Sequence, residues 1–177
     1  DTMLPASTGV TFQSYNTANS ATTAVVPLLY ANFSTAQKAV LDANLPTGIK
    51  GTDLVEWTKG TNKTGLRTRA VALGDVINSP LVYASPTDQT AADLTTDATY
   101  TTYLAKKAAG MTASLLVNAN DGFTNVINAN TGKRVYAYMP STALAGLNIV
   151  ADTGYINGTS HKYLNDGQLT VADAQFG

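Results

Sequence analysis

Few side chains in this chain are of the kinds that perform chemistry. His161 is its only histidine, Glu56 its only glutamate, and cysteine is absent. Without cysteine there is no disulfide, no thiolate nucleophile and no cysteine metal site. Nucleophilic or acid–base catalysis needs a nucleophile, a base and a group that orients the base. The sequence therefore predicts no catalytic residue, no metal ligand and no cofactor site in this segment.

The aspartates lie mostly in turn sequences. Asp121-Gly122 and Asp166-Gly167 each follow an asparagine, and Gly132 ends Asn-Thr-Gly. Aspartate in a turn usually accepts a hydrogen bond from its own backbone, and glycine adopts positive φ without a Cβ penalty. We therefore interpret Asp121, Gly122, Gly132, Asp166 and Gly167 as structural turn residues.

The remaining polar candidates also favour structural roles. Asp152 stands near Asn157 and Gly158, but the alternating aspartates of a calcium loop are missing. We expect His161 to bond a loop carbonyl and Asp75 to fix the start of a strand. We expect Arg67 and Arg69 to form structural salt bridges. We expect Trp57 to serve as a docking anchor.

The elements that position these residues are short. Two glycine turns divide residues 115–138 into three strands, which predicts an antiparallel meander. We place Val117, Val126 and Val135 or Tyr136 in its apolar layers. A strand is predicted at 76–83 and a hairpin at 161–172 around the Asn-Asp-Gly of 165–167. Helices are expected only at 34–44, which Ser34 caps, at 52–59 and at 99–108.

Meanders of this size are the units of β-propeller blades. The predicted fold is mainly β, a partial β-propeller of about two blades with a few short helices. Residues 1–50 are expected to form an irregular arm with one helix. Because an incomplete propeller has open sheet edges, we expect the arm, the rest of a propeller or another chain to cover them.

Charge and composition narrow the function classes. The 177 residues carry a net charge of −1 and only 13% are charged, which argues against nucleic-acid binding. Threonine- and asparagine-rich, charge-poor sequences are typical of extracellular bacterial surface proteins. No run is long enough for a transmembrane helix. The first residues lack the features of a signal peptide, so we expect a mature or excised segment.

Several motifs occur together in a recognisable order. They are Leu54-Val55-Glu56-Trp57, Leu73-Gly74-Asp75 followed by Ser79-Pro80-Leu81-Val82-Tyr83, Asn118-Ala119-Asn120-Asp121-Gly122, Thr131-Gly132-Lys133, and Asp166-Gly167 after His161. From about residue 51 to 177, this order resembles the start of the C-terminal propeller of PilY/PilC-type adhesins, which are associated with the tip of type IV pili.

The resemblance implies a non-enzymatic module in pilus biogenesis, adhesion or twitching motility, located outside the cell at the pilus tip. Minor pilins and a host or abiotic surface are the partners that it implies. The family's acidic calcium loop is absent from this segment, which leaves calcium to other parts of such a propeller. A fragment of a quinone-dependent dehydrogenase is the alternative, since those enzymes also use propeller blades with Asp-Gly turns.

Overall fold

In a computed structural model, residues 9–91, 97–155 and 161–174 are described. Their strands form one six-stranded sheet with the order β2-β1-β6-β5-β4-β3. Neighbouring strands are antiparallel, except that β1 runs parallel to β6. The sheet does not close on itself, because β2 and β3 are its two edges. The strands are β1 (Thr11–Tyr15), β2 (Val25–Pro27), β3 (Val82–Ala84), β4 (Ser114–Asn118), β5 (Thr124–Asn128) and β6 (Arg134–Met139).

Four helices accompany the sheet in the described part of the chain: α1 (Thr35–Asp42), α2 (Gly51–Thr58), α3 (Ala98–Gly110) and α4 (Leu147–Ala151). The helices expected at 34–44, 52–59 and 99–108 are confirmed. The expectation of helix only there was wrong, because α4 follows a 3₁₀ turn at Ser141–Gly146. With five residues, α4 is too short to be stable alone, and its Leu147, Val150 and Ala151 are buried. Tertiary packing therefore stabilises it.

The start of α1 shows why local sequence predicted it well. Ser34 Oγ accepts the Gln37 N–H at 3.3 Å, and Gln37 Oε1 accepts the Ser34 N–H at 3.2 Å. This reciprocal capping box satisfies backbone donors that the helix leaves unpaired. Gln37 Nε2 also donates to the Tyr15 carbonyl at 2.8 Å, so the cap fastens α1 to β1.

The predicted meander is confirmed, but the two-blade propeller is not seen. β4, β5 and β6 pair antiparallel in sequence order. No strand occurs within residues 161–174, so the expected hairpin was wrong. The strand expected at 76–83 is reduced to β3. The two segments contact each other, since the Asp166 carboxylate accepts hydrogen bonds from Asn78 and Ser79. The fold is mixed α/β rather than mainly β.

The N-terminal segment is not an irregular arm over the part that the structure describes. It supplies β1 and β2 to the same sheet, and Ser14 Oγ donates to the Met139 carbonyl at 2.8 Å. β1 therefore covers the edge of β6 that the meander alone would leave open. The helix predicted within residues 1–50 is present as α1.

The core lies between one face of the sheet and the helices α1, α2 and α4. Its largest fully buried side chains include Trp57, Phe123, Leu41 and Leu54. Across the strands the buried row is Val117, Asn125 and Ala137. Of the residues expected in apolar layers, Val117 is buried, while Val126 and its strand partner Tyr136 are half-buried on the other sheet face. The alternative Val135 was wrong, because a bulge in the pairing of β5 and β6 leaves it 38% exposed.

Candidate functional site: an arginine-lined cleft beside the meander

The turn between β4 and β5 holds a buried ion pair. Asp121 Oδ1 accepts the Phe123 N–H at 3.0 Å, which is the turn bond expected from sequence. Asp121 Oδ2 also lies 3.5 Å from Arg134 Nη1, and Arg134 donates to Asn125 Oδ1 at 3.0 Å. The two charged side chains are 0% and 1% exposed. The network therefore fixes the turn against β6.

Burial dominates the electrostatics of this pair. Loss of solvent raises the pKa of Asp121, while the Phe123 N–H and Arg134 oppose that rise. Burial likewise lowers the pKa of Arg134, and Asp121 opposes that change. Sequence reasoning missed Arg134, because nothing local predicts that an arginine beside a surface turn will be buried.

The loop before β3 lies directly against this turn. The Asn120 N–H donates to the Asp75 carbonyl at 3.0 Å, and Asn120 Nδ2 donates to Asp75 Oδ2 at 3.2 Å. A Cβ on Gly74 would lie 2.2 Å from the Asp121 nitrogen. The Leu73-Gly74-Asp75 motif therefore needs glycine for close backbone approach. Asp75 bonds the turn rather than the start of a strand.

His161 packs onto the same loop. Its Nε2 lies 3.5 Å from Asp75 Oδ2 and 3.2 Å from Asn120 Nδ2, and its Nδ1 lies 3.3 Å from the Tyr155 hydroxyl. In the described part of the chain no serine or threonine hydroxyl bonds the imidazole. The side chain thus joins two loops, although its contacts are side chains rather than the expected loop carbonyl.

A cleft of about 340 Å³ opens beside these loops. Arg67 and Arg69 line it, together with Trp57 and Tyr155. The Arg69 guanidinium stacks 3.9 Å over the Trp57 ring, and that of Arg67 lies 4.9 Å over Tyr155. Such cation–π contacts hold both guanidinium planes in place. The expected salt bridges of these two arginines do not occur with described residues.

Hydrogen bonds fix the walls of the cleft. Trp57 Nε1 donates to the Arg67 carbonyl at 2.7 Å, and Arg67 Nε donates to the Val150 carbonyl at 2.8 Å. Arg69 Nη2 donates to the Trp57 carbonyl. Burial lowers the pKa of Arg69 to about 10, so the side chain remains cationic at neutral pH. Trp57 is the anchor expected from sequence and also a wall of the cleft.

The other predicted turn residues lie away from the cleft. Gly132 has a φ of 67° between β5 and β6, and Gly167 has a φ of 105°. The Asp166 carboxylate accepts from Asn78 N at 3.0 Å and from Asn78 Nδ2 at 2.7 Å, and these bonds lower its pKa. Gly122, with a φ of 90°, lies in the turn that carries Asp121.

The described residues show no grouping of three or more acidic, histidine or cysteine side chains suited to a metal. Asp152 Oδ1 accepts the Gly154 N–H at 2.7 Å, and Asn157 and Gly158 lie outside the described residues. No helix of the described part has the length and hydropathy needed to cross a membrane.

A second polar cluster, missed by sequence reasoning, attaches the C-terminal segment to α3. The Asp173 carboxylate accepts from Lys107 Nζ at 2.7 Å, from the Tyr100 hydroxyl at 2.8 Å and from the Tyr103 hydroxyl at 3.0 Å. The lysine bond is the main reason that the pKa of Asp173 falls well below its usual range. The tyrosine spacing on α3 was visible in the sequence, but its partner 70 residues later was not.

Comparison with known proteins places the chain among relatives of one class, bacterial factors of type IV pilus biogenesis. A PilY1 homolog from Xylella fastidiosa is 36% identical over 111 residues, which is 61% of this chain. PilY1 proteins of two Pseudomonas aeruginosa strains are 27% and 30% identical over 92% and 90% of it. The chain is thus homologous to PilY1 type IV pilus biogenesis factors over most of its length, which confirms the family to which its motifs pointed. Its place at the start of the C-terminal propeller stays a prediction.

The chain spans only 9% to 15% of the length of these relatives. No family model matches it, and no solved structure does.

Proposed function

We propose that this segment is a non-enzymatic structural and adhesive module of a type IV pilus tip-associated protein at the cell surface. The observation that carries the proposal is the similarity to PilY1 biogenesis factors across about nine-tenths of the chain. In the whole protein the β4–β6 meander would serve as a blade of a larger propeller, and calcium would bind elsewhere.

The open sheet edge suggests how the segment joins its surroundings. Within the described residues, β3 is hydrogen-bonded on one side only, to β4. Its neighbour Leu81 and its central residue Tyr83 are 61% and 54% exposed. Unpaired backbone groups on an edge strand are satisfied when a partner adds a strand. The partner in this proposal is a minor pilin or the rest of the propeller, and the remaining loops face a host or abiotic surface.

Deletion of the gene that encodes this chain tests the proposal. We expect fewer surface pili, weaker attachment and smaller twitching zones, all restored by the wild-type gene. A gene that carries Tyr83→Lys should restore piliation, attachment and twitching only in part, because a charge on an edge strand opposes strand addition. Val40→Lys, at a residue of α1 that is 41% exposed, is the matched control and should restore them fully.

Immunoblots would first establish that both variants accumulate like the wild type. Normal piliation, attachment and motility in the deletion strain, with no second copy of the gene, would contradict the pilus role. Equal complementation by both variants would contradict strand addition at β3 and leave the pilus role standing.

A further inference from the structure

Helix α3 lies outside the hydrophobic core. None of its 13 residues is buried, whereas α1, α2 and α4 each bury at least two. Apart from the caps at its ends, its hydrogen bonds to the rest of the described chain involve only Asp173 and residues 88–91. A helix of this length is marginally stable in water without tertiary packing. Its position therefore depends on this small set of contacts.

The Asp173 carboxylate is the centre of those contacts. Besides its three donors on α3, it accepts the Thr90 N–H at 3.2 Å, and the Asp173 N–H donates to Thr90 Oγ1 at 2.5 Å. Lys107 Nζ also donates to the Asp88 carbonyl at 2.7 Å. The side chains of Lys107 and Asp173 are only 8% and 6% exposed, so salt screens this ion pair little. One carboxylate thus joins α3, the loop after β3 and the C-terminal segment.

The C-terminal segment is held differently at its two ends. Leu164 packs against the hydrophobic core, and Asn165 Nδ2 donates to Asn118 Oδ1 of β4 at 3.1 Å. Residues 168–172, in contrast, make no hydrogen bond with a described residue. The next point of attachment along the chain is Asp173. One end of the segment is therefore fixed to the sheet and the core, and the other end to α3 and the loop after β3.

We propose that Asp173 is a latch whose opening releases α3 and residues 168–174 together, while the six-stranded sheet and its core stay folded. Residues 164–167 remain on the sheet and serve as the hinge. Local openings have lower free energies than global unfolding where few apolar groups are buried. Since α3 buries no residue, the bonds of the latch determine how often it is released. This device is separate from the pilus role and does not depend on it.

Native-state hydrogen exchange of the complete 177-residue chain, measured by NMR, tests the latch. In the wild type, amides of α3 should exchange through an opening that urea affects little, whereas amides of β5 and β6 should show the full urea dependence of global unfolding. Asp173→Asn should speed exchange in α3 at least about tenfold, because a charge-assisted hydrogen bond is lost. Exchange in β5 and β6 should change less than about twofold.

Matched variants separate the latch from a general effect of charge. Asp88→Asn removes the same charge from an exposed residue of the neighbouring loop and should leave exchange in α3 within about twofold of the wild type. Coupling between helix and segment must also be reciprocal. Lys107→Met keeps the aliphatic stem but removes the charge bound by Asp173, so it should speed chymotryptic cleavage at Leu169. Lys106→Met, at the adjacent exposed lysine, should not.

Three results would overturn the latch. The first is unchanged exchange in α3 of a folded Asp173→Asn protein, and the second is equal cleavage at Leu169 in the two lysine variants. The third is faster exchange by the same factor in α3, β5 and β6, since the contact would then support the whole fold. If a variant fails to fold, the wild type decides, because equal urea dependence in α3 and β5 would exclude local release.

Discussion

Substituting Gly74 by alanine tests the contact on which the cleft depends. A Cβ at this residue would lie 2.2 Å from the Asp121 nitrogen and 2.6 Å from the Asn120 carbonyl carbon. Both are backbone atoms of a turn fixed by the buried Asp121–Arg134 pair, so neither side can yield by rotating a side chain. The loop at 73–75 must therefore move away from the β4–β5 turn.

The cost follows from the contacts that this movement breaks. Overpacking a rigid site costs about 1–3 kcal/mol. The Asn120 N–H···O bond to Asp75 and the backbone bond from Gly74 to the Asp121 carboxylate add roughly 1 and 1.5–3 kcal/mol. We expect Gly74→Ala to lower the free energy of unfolding by about 3.5–7 kcal/mol, or the melting temperature by about 7 °C or more.

Urea titration followed by tryptophan fluorescence measures the effect, since Trp57 is the only tryptophan and lines the same cleft. Gly110→Ala is the matched control. Gly110 is the last residue of α3, and nothing lies within 4 Å of its Cβ position, so alanine there should be neutral or stabilising by up to ~1 kcal/mol. If the two variants unfold within ~0.5 kcal/mol of each other, the close approach of loop and turn is not what stabilises this region.

Three further variants test other parts of the fold. Ser34→Ala should cost about 1 kcal/mol in urea titration by removing the α1 cap; no change would show that the cap is dispensable. Phe123→Ala should cost about 3–5 kcal/mol, because that ring is 0% exposed, and a smaller loss would indicate that the core refills the space. Asp173→Asn should speed proteolysis of residues 161–174. Because its folded pKa is depressed, Asp173 contributes stability above the usual value near 3.8, and the wild type should lose this protection as pH falls below it; protection that is independent of pH would contradict that linkage.

Short-range sequence signals determined much of the local structure. Ser34 and Gln37 are three residues apart and define the start of α1, and Gly122 and Gly132 mark the turns of the meander. Such features depend on neighbours within one turn of helix or one hairpin, so propensity and turn chemistry suffice to predict them. The order of the motifs was also enough to indicate the relation to PilY1 factors that the comparisons bear out.

The tertiary structure alone decided the features that join distant residues. β1 pairs with β6 across more than a hundred residues, as the bond between Ser14 and Met139 shows. Asp166 looked like a hairpin residue, yet its carboxylate bonds Asn78, 88 residues earlier. Arg67 and Arg69 line the cleft because the folded chain places Trp57 of α2 and the segment around Tyr155 next to them. No local pattern encodes these contacts, because each arises from burial and hydrogen bonding between segments that only the folded chain brings together.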